Sequence, residues 1–390
     1  MNFIPLSIPN FEGNEKKYVN DALEQGWVST AGAYVTRLER DLAAFLHADN
    51  VAACQSGTSA IHLSLTEAGV CPGDTVIVPT LTFIAAVNPV RYRLAKPVFI
   101  DCDDSLCMDP VKLRSFCENE CEFAQGVLTY QGSRVRAVIA VHVFGNMADM
   151  ESIMDTAEKY HIAVIEDATE ALGTYYTAGR YAGKYAGTIG DFGVYSFNGN
   201  KIITTGGGGA LTANRPETVD HMRYLSTQAK DDPQFFIHNE IGYNYRMTNM
   251  QAALGVAQVE ELPAFIRRKQ SNYELYRTLF EGFEEAELMP FREGTVSNKW
   301  FYSLLVHTER ISASLREVVE RLRKSGIQTR TVWGLISEQK PYLDDDRYQL
   351  EKAPYYASRI LNIPCSTQIT REEIQYVADE VKRVLKDLAK

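Results

Sequence analysis

The sequence predicts an α/β protein. A large domain around a mostly parallel sheet precedes a smaller C-terminal α+β domain. Three observations lead there. Short apolar runs at 76–78, 98–100, 137–141 and 162–165 alternate with stretches of helical period. The run 137–141 is apolar throughout, as in a strand buried on both faces. After about residue 245 the alternation gives way to one long helical stretch and scattered strand and capping signals.

The elements follow in chain order. Val35, Leu38, Leu42, Phe45 and Leu46 keep a helical period. Ser56-Gly57-Thr58 opens an apolar helix, and Pro72-Gly73-Asp74 makes a turn before the strand ending at Pro79. A helix follows Phe83, and another runs from about Asp149 to Tyr160. A long helix runs from Met250 towards Arg268, and residues 300–306 read as a strand. Ser314-x-x-Glu317 and Thr370-x-x-Glu373 are capping boxes that start two further helices. The large domain is expected over 1–250 and the small one over 251–390, with a helix crossing the boundary.

The chain has 390 residues and a net charge of −10, so no basic footprint for nucleic acid is present. No apolar run approaches a membrane span, and Met1 to Pro5 lacks the basic start of a leader, so a cytoplasmic protein is expected. The seven cysteines are odd in number and irregularly spaced. Cys102, Cys107, Cys117 and Cys121 lack knuckle spacing and an interleaved His, so no metal site is expected. Cys117 and Cys121 are expected on one helix face.

In open α/β sheets, ligands bind at the carboxyl ends of strands. Four segments there carry chemistry. Gln55-Ser56-Gly57-Thr58-Ser59-Ala60 is a small-residue turn entering a helix, suited to a phosphate. Asp167 ends a buried strand, where an unpaired charge is costly; it faces a cation or caps the next segment. Lys201 follows Ser196-Phe197-Asn198-Gly199-Asn200 and precedes a four-glycine run. That order is not a phosphate-binding P-loop, where the lysine follows the glycines. It is either a nucleophile or a solvated loop lysine. The fourth segment is Gly242-Tyr243-Asn244-Tyr245-Arg246 before a helix.

A phosphate cradle, a strand-end acid and a loop lysine 34 residues later are the parts of a pyridoxal phosphate site. With Gly26-Trp27-Val28-Ser29-Thr30, Pro79-Thr80-Leu81-Thr82-Phe83 and Asn244-Tyr245-Arg246, they resemble the DegT-type sugar-nucleotide aminotransferases of fold type I. The similarity covers essentially the whole chain. Asn198 to Lys201, the glycine run, Gln228 to Asp232, Gln328 to Arg330 and Asn362 to Ser366 are most similar to the LegC/PglE-like branch.

The resemblance implies residue roles. Lys201 forms a Schiff base with pyridoxal 5′-phosphate and moves the proton. Asp167 pairs with the ring nitrogen, and Phe83 packs on the ring. Thr58, Ser59 and Ser196 hold the phosphate, and Gly57 and Asn198 also contact the cofactor. Asn244 reaches it from a second subunit, so a homodimer is expected. Glu170 stands beside the phenolic oxygen where many relatives carry Gln or His, so it is protonated or turned away. Many relatives have Glu where Gly207 stands. Thr30, His142, Lys184, Arg246, Lys299 and Arg330 are the substrate-binding candidates, four of them cations for a diphosphate; each is equally a surface or lining residue. The implied reaction carries an amino group from L-glutamate to C4 of a UDP-linked 4-keto-6-deoxy-N-acetylhexosamine, for bacillosamine or legionaminic acid type glycans. Another nucleotide ketosugar and a non-catalytic binder of the same fold are the alternatives.

Overall fold

The computed structural model describes residues 3–390. Met1 and Asn2, which open the segment read for a leader, lie outside the described residues. A ten-stranded mixed sheet forms the centre. Its main path runs Ala52–Cys54, Gly209–Ala213, Phe192–Ser196, Ala163–Asp167, Ser133–Val141, Thr75–Pro79, Lys96–Ile100 and Arg347–Tyr348. The first two pairings are antiparallel and the remaining five parallel. The parallel strands are almost wholly buried, which explains their unbroken apolar runs.

A second, antiparallel sheet contains Ala286–Leu288, Tyr302–Val306, Ile360–Ile363 and Arg330–Thr331. The helices Leu315–Lys324 and Arg371–Asp387 pack on each other beside it. Thr370 and Glu373 make the full reciprocal capping box. At Ser314 only the hydroxyl takes part, accepting from Glu317 N at 3.3 Å. The helix Asn249–Phe280 touches both regions. It runs twelve residues past Arg268 and through Pro263, because Tyr273, Tyr276 and Phe280 keep its apolar face buried.

Other boundaries differ from expectation. The segment after Phe83 is a 3-10 turn, Ile84–Ala86, then a short helix, Asn88–Tyr92. The strand expected from Trp300 starts at Tyr302. Cys121 does not share a helix face with Cys117: the helix Pro110–Asn119 is capped by Glu120, and Cys121 lies beyond it. All seven cysteines are free thiols. Among the described residues no helix is long and apolar enough to cross a membrane.

Candidate active site

A cavity of about 480 Å³ opens between the two sheets. Val141, Asp167 and Ser196, the last residues of three neighbouring parallel strands, line one side. Arg330, Thr331 and Asn362 of the second sheet line the other.

One end is the start of the helix Gly57–Glu67. Ser56 caps it, accepting from Ser59 N at 3.0 Å. The amides of Gly57 and Thr58 have no protein acceptor among the described residues, so the cradle offers free N–H groups. A Cβ on Gly57 would meet Thr169 Cγ2 at 2.9 Å and Ser196 Cβ at 3.2 Å. A Cβ on Gly209 would meet Ser56 C at 2.6 Å, so bare backbone is needed there too. Ser59 lies outside the cavity, and its hydroxyl is 2.8 Å from that of Ser56.

The next wall carries the acids. Asp167 is 4% exposed. Its side chain takes one protein donor among the described residues, Thr169 N at 3.0 Å. No helix follows, so Asp167 caps a turn and leaves acceptor capacity towards the cavity. Behind it, Glu166 is fully satisfied by Gly187 N, Ile189 N, Gly190 N and His142 Nε2. Glu170 Oε2 accepts the Phe144 N–H at 2.8 Å and Oε1 lies 3.3 Å from Lys201 Nζ. Burial raises the Glu170 carboxyl above its ordinary value, and the Lys201 charge opposes it.

Lys201 sits on a loop between two antiparallel strands. Phe197 N bonds Gly208 O and Thr205 N bonds Phe197 O, closing the loop on itself. The long helix pins it: Gln258 Oε1 accepts from Thr204 N, and Gln251 Nε2 donates to Gly207 O. A Cβ on Gly207 would meet only Gln251 Nε2, at 3.9 Å, so a larger residue there leaves the lysine in place. The Lys201 ammonium lies 4.2 Å from the Trp300 ring centroid.

Thus Lys201, Asp167, Gly57, Thr58, Phe83, Glu170, Ser196, Asn198 and Arg330 share one cavity. The others stand elsewhere. His142 is wholly buried behind the strand ends: Nδ1 accepts from Ala148 N, and Nε2 bonds Glu166. It is a core histidine, not site lining. Arg246 bonds Glu39 and the Ala53 carbonyl and is consumed by that pair. Lys299 packs its ammonium on the rings of Tyr273 and Phe291, at 3.9 and 3.8 Å. Lys184, Thr30 and Asn244 are exposed and line no part of this chain's cavity. Trp300, Phe301 and Trp333 line it without having been singled out. Only their long-range approach makes them site residues; the aromatic pair 300–301 was the one local hint.

This architecture, with a loop lysine, a buried strand-end acid and a bare helix start around one cavity, is that of a fold type I enzyme. The chain belongs to the DegT/DnrJ/EryC1/StrS aminotransferase family, whose model matches residues 9–382. It is similar to EpsN of Bacillus subtilis, 37% identical over 86% of this chain and 83% of that one. It is 32% identical to GDP-perosamine synthase of Escherichia coli O157:H7 over 99% of this chain and 100% of that one. The crystal structure of the aminotransferase TlmJ from Streptoalloteichus hindustanus superposes with a TM-score of 0.88 at 25% identity, covering 99% of this chain and 100% of that one. The protein is a sugar aminotransferase that uses pyridoxal phosphate.

The residues fit that cofactor. Free amides at Gly57 and Thr58 suit the phosphate, and Asp167 supplies an under-satisfied buried carboxylate for a protonated ring nitrogen. Lys201 presents a primary amine to the same space.

Proposed function

We propose that this enzyme carries an amino group from L-glutamate to C4 of a UDP-linked 4-keto-6-deoxy-N-acetylhexosamine. The product is a UDP-4-amino-4,6-dideoxy sugar for bacillosamine or legionaminic acid type glycans. The observation that carries the reaction is Lys201, Asp167 and the Gly57–Thr58 amides around one cavity. The branch reading has its own support. Asn198, Asn200, Lys201, Gly207, Gly208, Arg330 and Asn362, from the segments that resemble the LegC/PglE-like branch, line that cavity.

When bound, pyridoxal phosphate supplies an electron sink that makes a proton labile on the donor carbon. This chain's residues do the rest. Lys201 moves that proton and, in the second half, returns one on the sugar side, since the two halves are mirror images. Asp167 keeps the ring nitrogen protonated. Thr58 and Ser196 orient the phosphate, with Asn198 at the cavity edge, and Phe83 covers a ring face. Arg330, which makes no ion pair with an acid among the described residues, meets the diphosphate.

A homodimer belongs to this reading. Phe235, Phe236 and Ile241, at 69%, 73% and 88% exposed, form an apolar projection in the segment that carries Asn244. Asn244 reaches the phosphate of the partner's site.

A second reading is amination of GDP-4-keto-6-deoxymannose, favoured by the full-length similarity to GDP-perosamine synthase. One experiment separates them. The protein, pyridoxal phosphate, L-glutamate and a panel of UDP-, GDP- and dTDP-ketosugars are mixed, and products are read by mass spectrometry. Conversion of the UDP sugar, absent in Lys201→Ala, is expected. Conversion of the GDP sugar alone overturns the UDP reading. No half-reaction with glutamate in folded, cofactor-loaded protein overturns both and favours the non-catalytic binder.

A further inference from the structure

We infer that Trp300 is a positioning residue for the Lys201 amine. Its indole face and the Glu170 carboxylate make a two-sided seat that holds the ammonium whenever the lysine is not joined to cofactor. The inference rests on the reading of Lys201 as the reacting lysine.

The seat is built, not incidental. Lys201 Nζ lies 3.3 Å from Glu170 Oε1 and 4.2 Å from the Trp300 ring centroid. A cation within about 6 Å of an indole face is attracted to it, more strongly when water is excluded. Here the lysine side chain is 12% exposed, the glutamate side chain 4% and Trp300 2%.

Both walls hang from one residue. Asn298 Nδ2 donates to Glu170 O and Leu172 O, each at 3.0 Å, and its Oδ1 accepts the Trp300 N–H at 2.9 Å. The indole is fixed again at its edge, where Nε1 donates to Asn200 O at 2.8 Å, one residue before the lysine. The buried Lys269 fixes the Trp300 backbone, donating to Trp300 O at 2.8 Å and Cys365 O at 2.6 Å. A lysine amine that leaves the cofactor in every half-reaction needs such a holder, because a buried ammonium without partners is costly. Asp167 on the neighbouring strand end is the other charge facing the site, and Arg330 lines the same cavity.

The test uses cofactor-free full-length protein. Cyanate carbamylates free amines, and peptide mass spectrometry gives the rate at Lys201 at one fixed pH. Trp300→Leu and Trp300→Phe both lose the indole N–H, but only phenylalanine keeps a ring face. Labelling is expected to rise about 3- to 30-fold in Trp300→Leu and distinctly less in Trp300→Phe. In loaded enzyme, the single-turnover rate with L-glutamate should fall in the same order, with KM for glutamate within about twofold of wild type. Unchanged labelling in Trp300→Leu, or equal changes in both variants, overturns the proposal and leaves a packing role. If Trp300→Leu does not fold, Trp300→Met against Trp300→Phe makes the same comparison. Turnover retained in Lys201→Ala would instead overturn the reading of the lysine, a separate result.

Discussion

Glu170 is turned towards Lys201: one oxygen lies 3.3 Å from the ammonium while the other accepts the Phe144 N–H at 2.8 Å. Phe144 adopts a left-handed conformation, φ 56°, which bulky residues avoid. Its N–H is the one that Glu170 Oε2 accepts, so the carboxylate faces the cavity beside the free lysine. Burial raises the Glu170 carboxyl, and the neighbouring Lys201 charge opposes that rise. Glu170→Gln is therefore expected to shift the pH titration of the bound cofactor's visible band. An unchanged titration would show that Glu170 takes no part in it.

Asp167→Asn keeps the shape of the turn but removes the buried charge. The glutamate half-reaction should slow by at least about 100-fold, on the scale of losing one preorganised electrostatic group. Stopped-flow absorbance measures it. A loss below tenfold would reduce Asp167 to a turn cap.

Arg246 and Arg330 should separate cleanly. Arg246 and Glu39 are nearly buried partners, but Arg223 and the Ala53 N–H also hold Glu39, so Arg246→Met is expected to lower stability by about 2 kcal/mol. KM for the sugar nucleotide should not change in the folded variant. Arg330→Gln should raise that KM and spare the glutamate half-reaction. Denaturant unfolding and steady-state kinetics on both variants decide it.

His62 makes the protein acid-sensitive. Burial, then the charge of Arg93, pushes its imidazole down to about 4. It is packed among Tyr92, Tyr243 and Tyr245. Between about pH 6.5 and 4 the unfolded chain binds the extra proton, so this stability is present above 6.5 and lost as pH falls to 4. A few kcal/mol, roughly, are at stake. His62→Phe should flatten that limb of the stability curve; a parallel curve would exonerate His62.

Lys299 should act in the same direction, in an alkaline window. Burial lowers its ammonium to about 8. The unfolded chain holds more protons from about pH 8 to 10.5, so stability rises with pH across that window. Lys299→Met should lack the rise and keep wild-type KM for the sugar. A raised KM would restore Lys299 to the substrate site.

Local pattern reached the parts whose causes are local. Ser56 caps its helix, and strands containing 76–78, 98–100 and 137–141 form where apolar runs stand. Asp167, Lys201 and the Gly57 turn were legible because their residue types are unusual for their positions. What hid were partnerships across the chain. Arg246 meets Glu39 from 207 residues away, and Lys299 meets two rings, yet from sequence both are isolated cations. Trp300 reads as the start of a strand until the second sheet brings it over Lys201. The pair Arg347–Tyr348 is too short to register, although it completes the large sheet.

That last pairing bears on biosynthesis. Arg347 and Tyr348 lie beside Phe99 and Ile100, and Phe99 N bonds Asp346 O at 2.9 Å. A polypeptide leaving the ribosome therefore assembles most of its main sheet while the flank of Lys96–Ile100 stays bare for some 250 residues of synthesis. Bare flanks pair with one another when chains are crowded together. Prematurely terminated chains would carry that flank permanently, which makes them seeds for aggregates and marks this stretch as one for chaperones to shield.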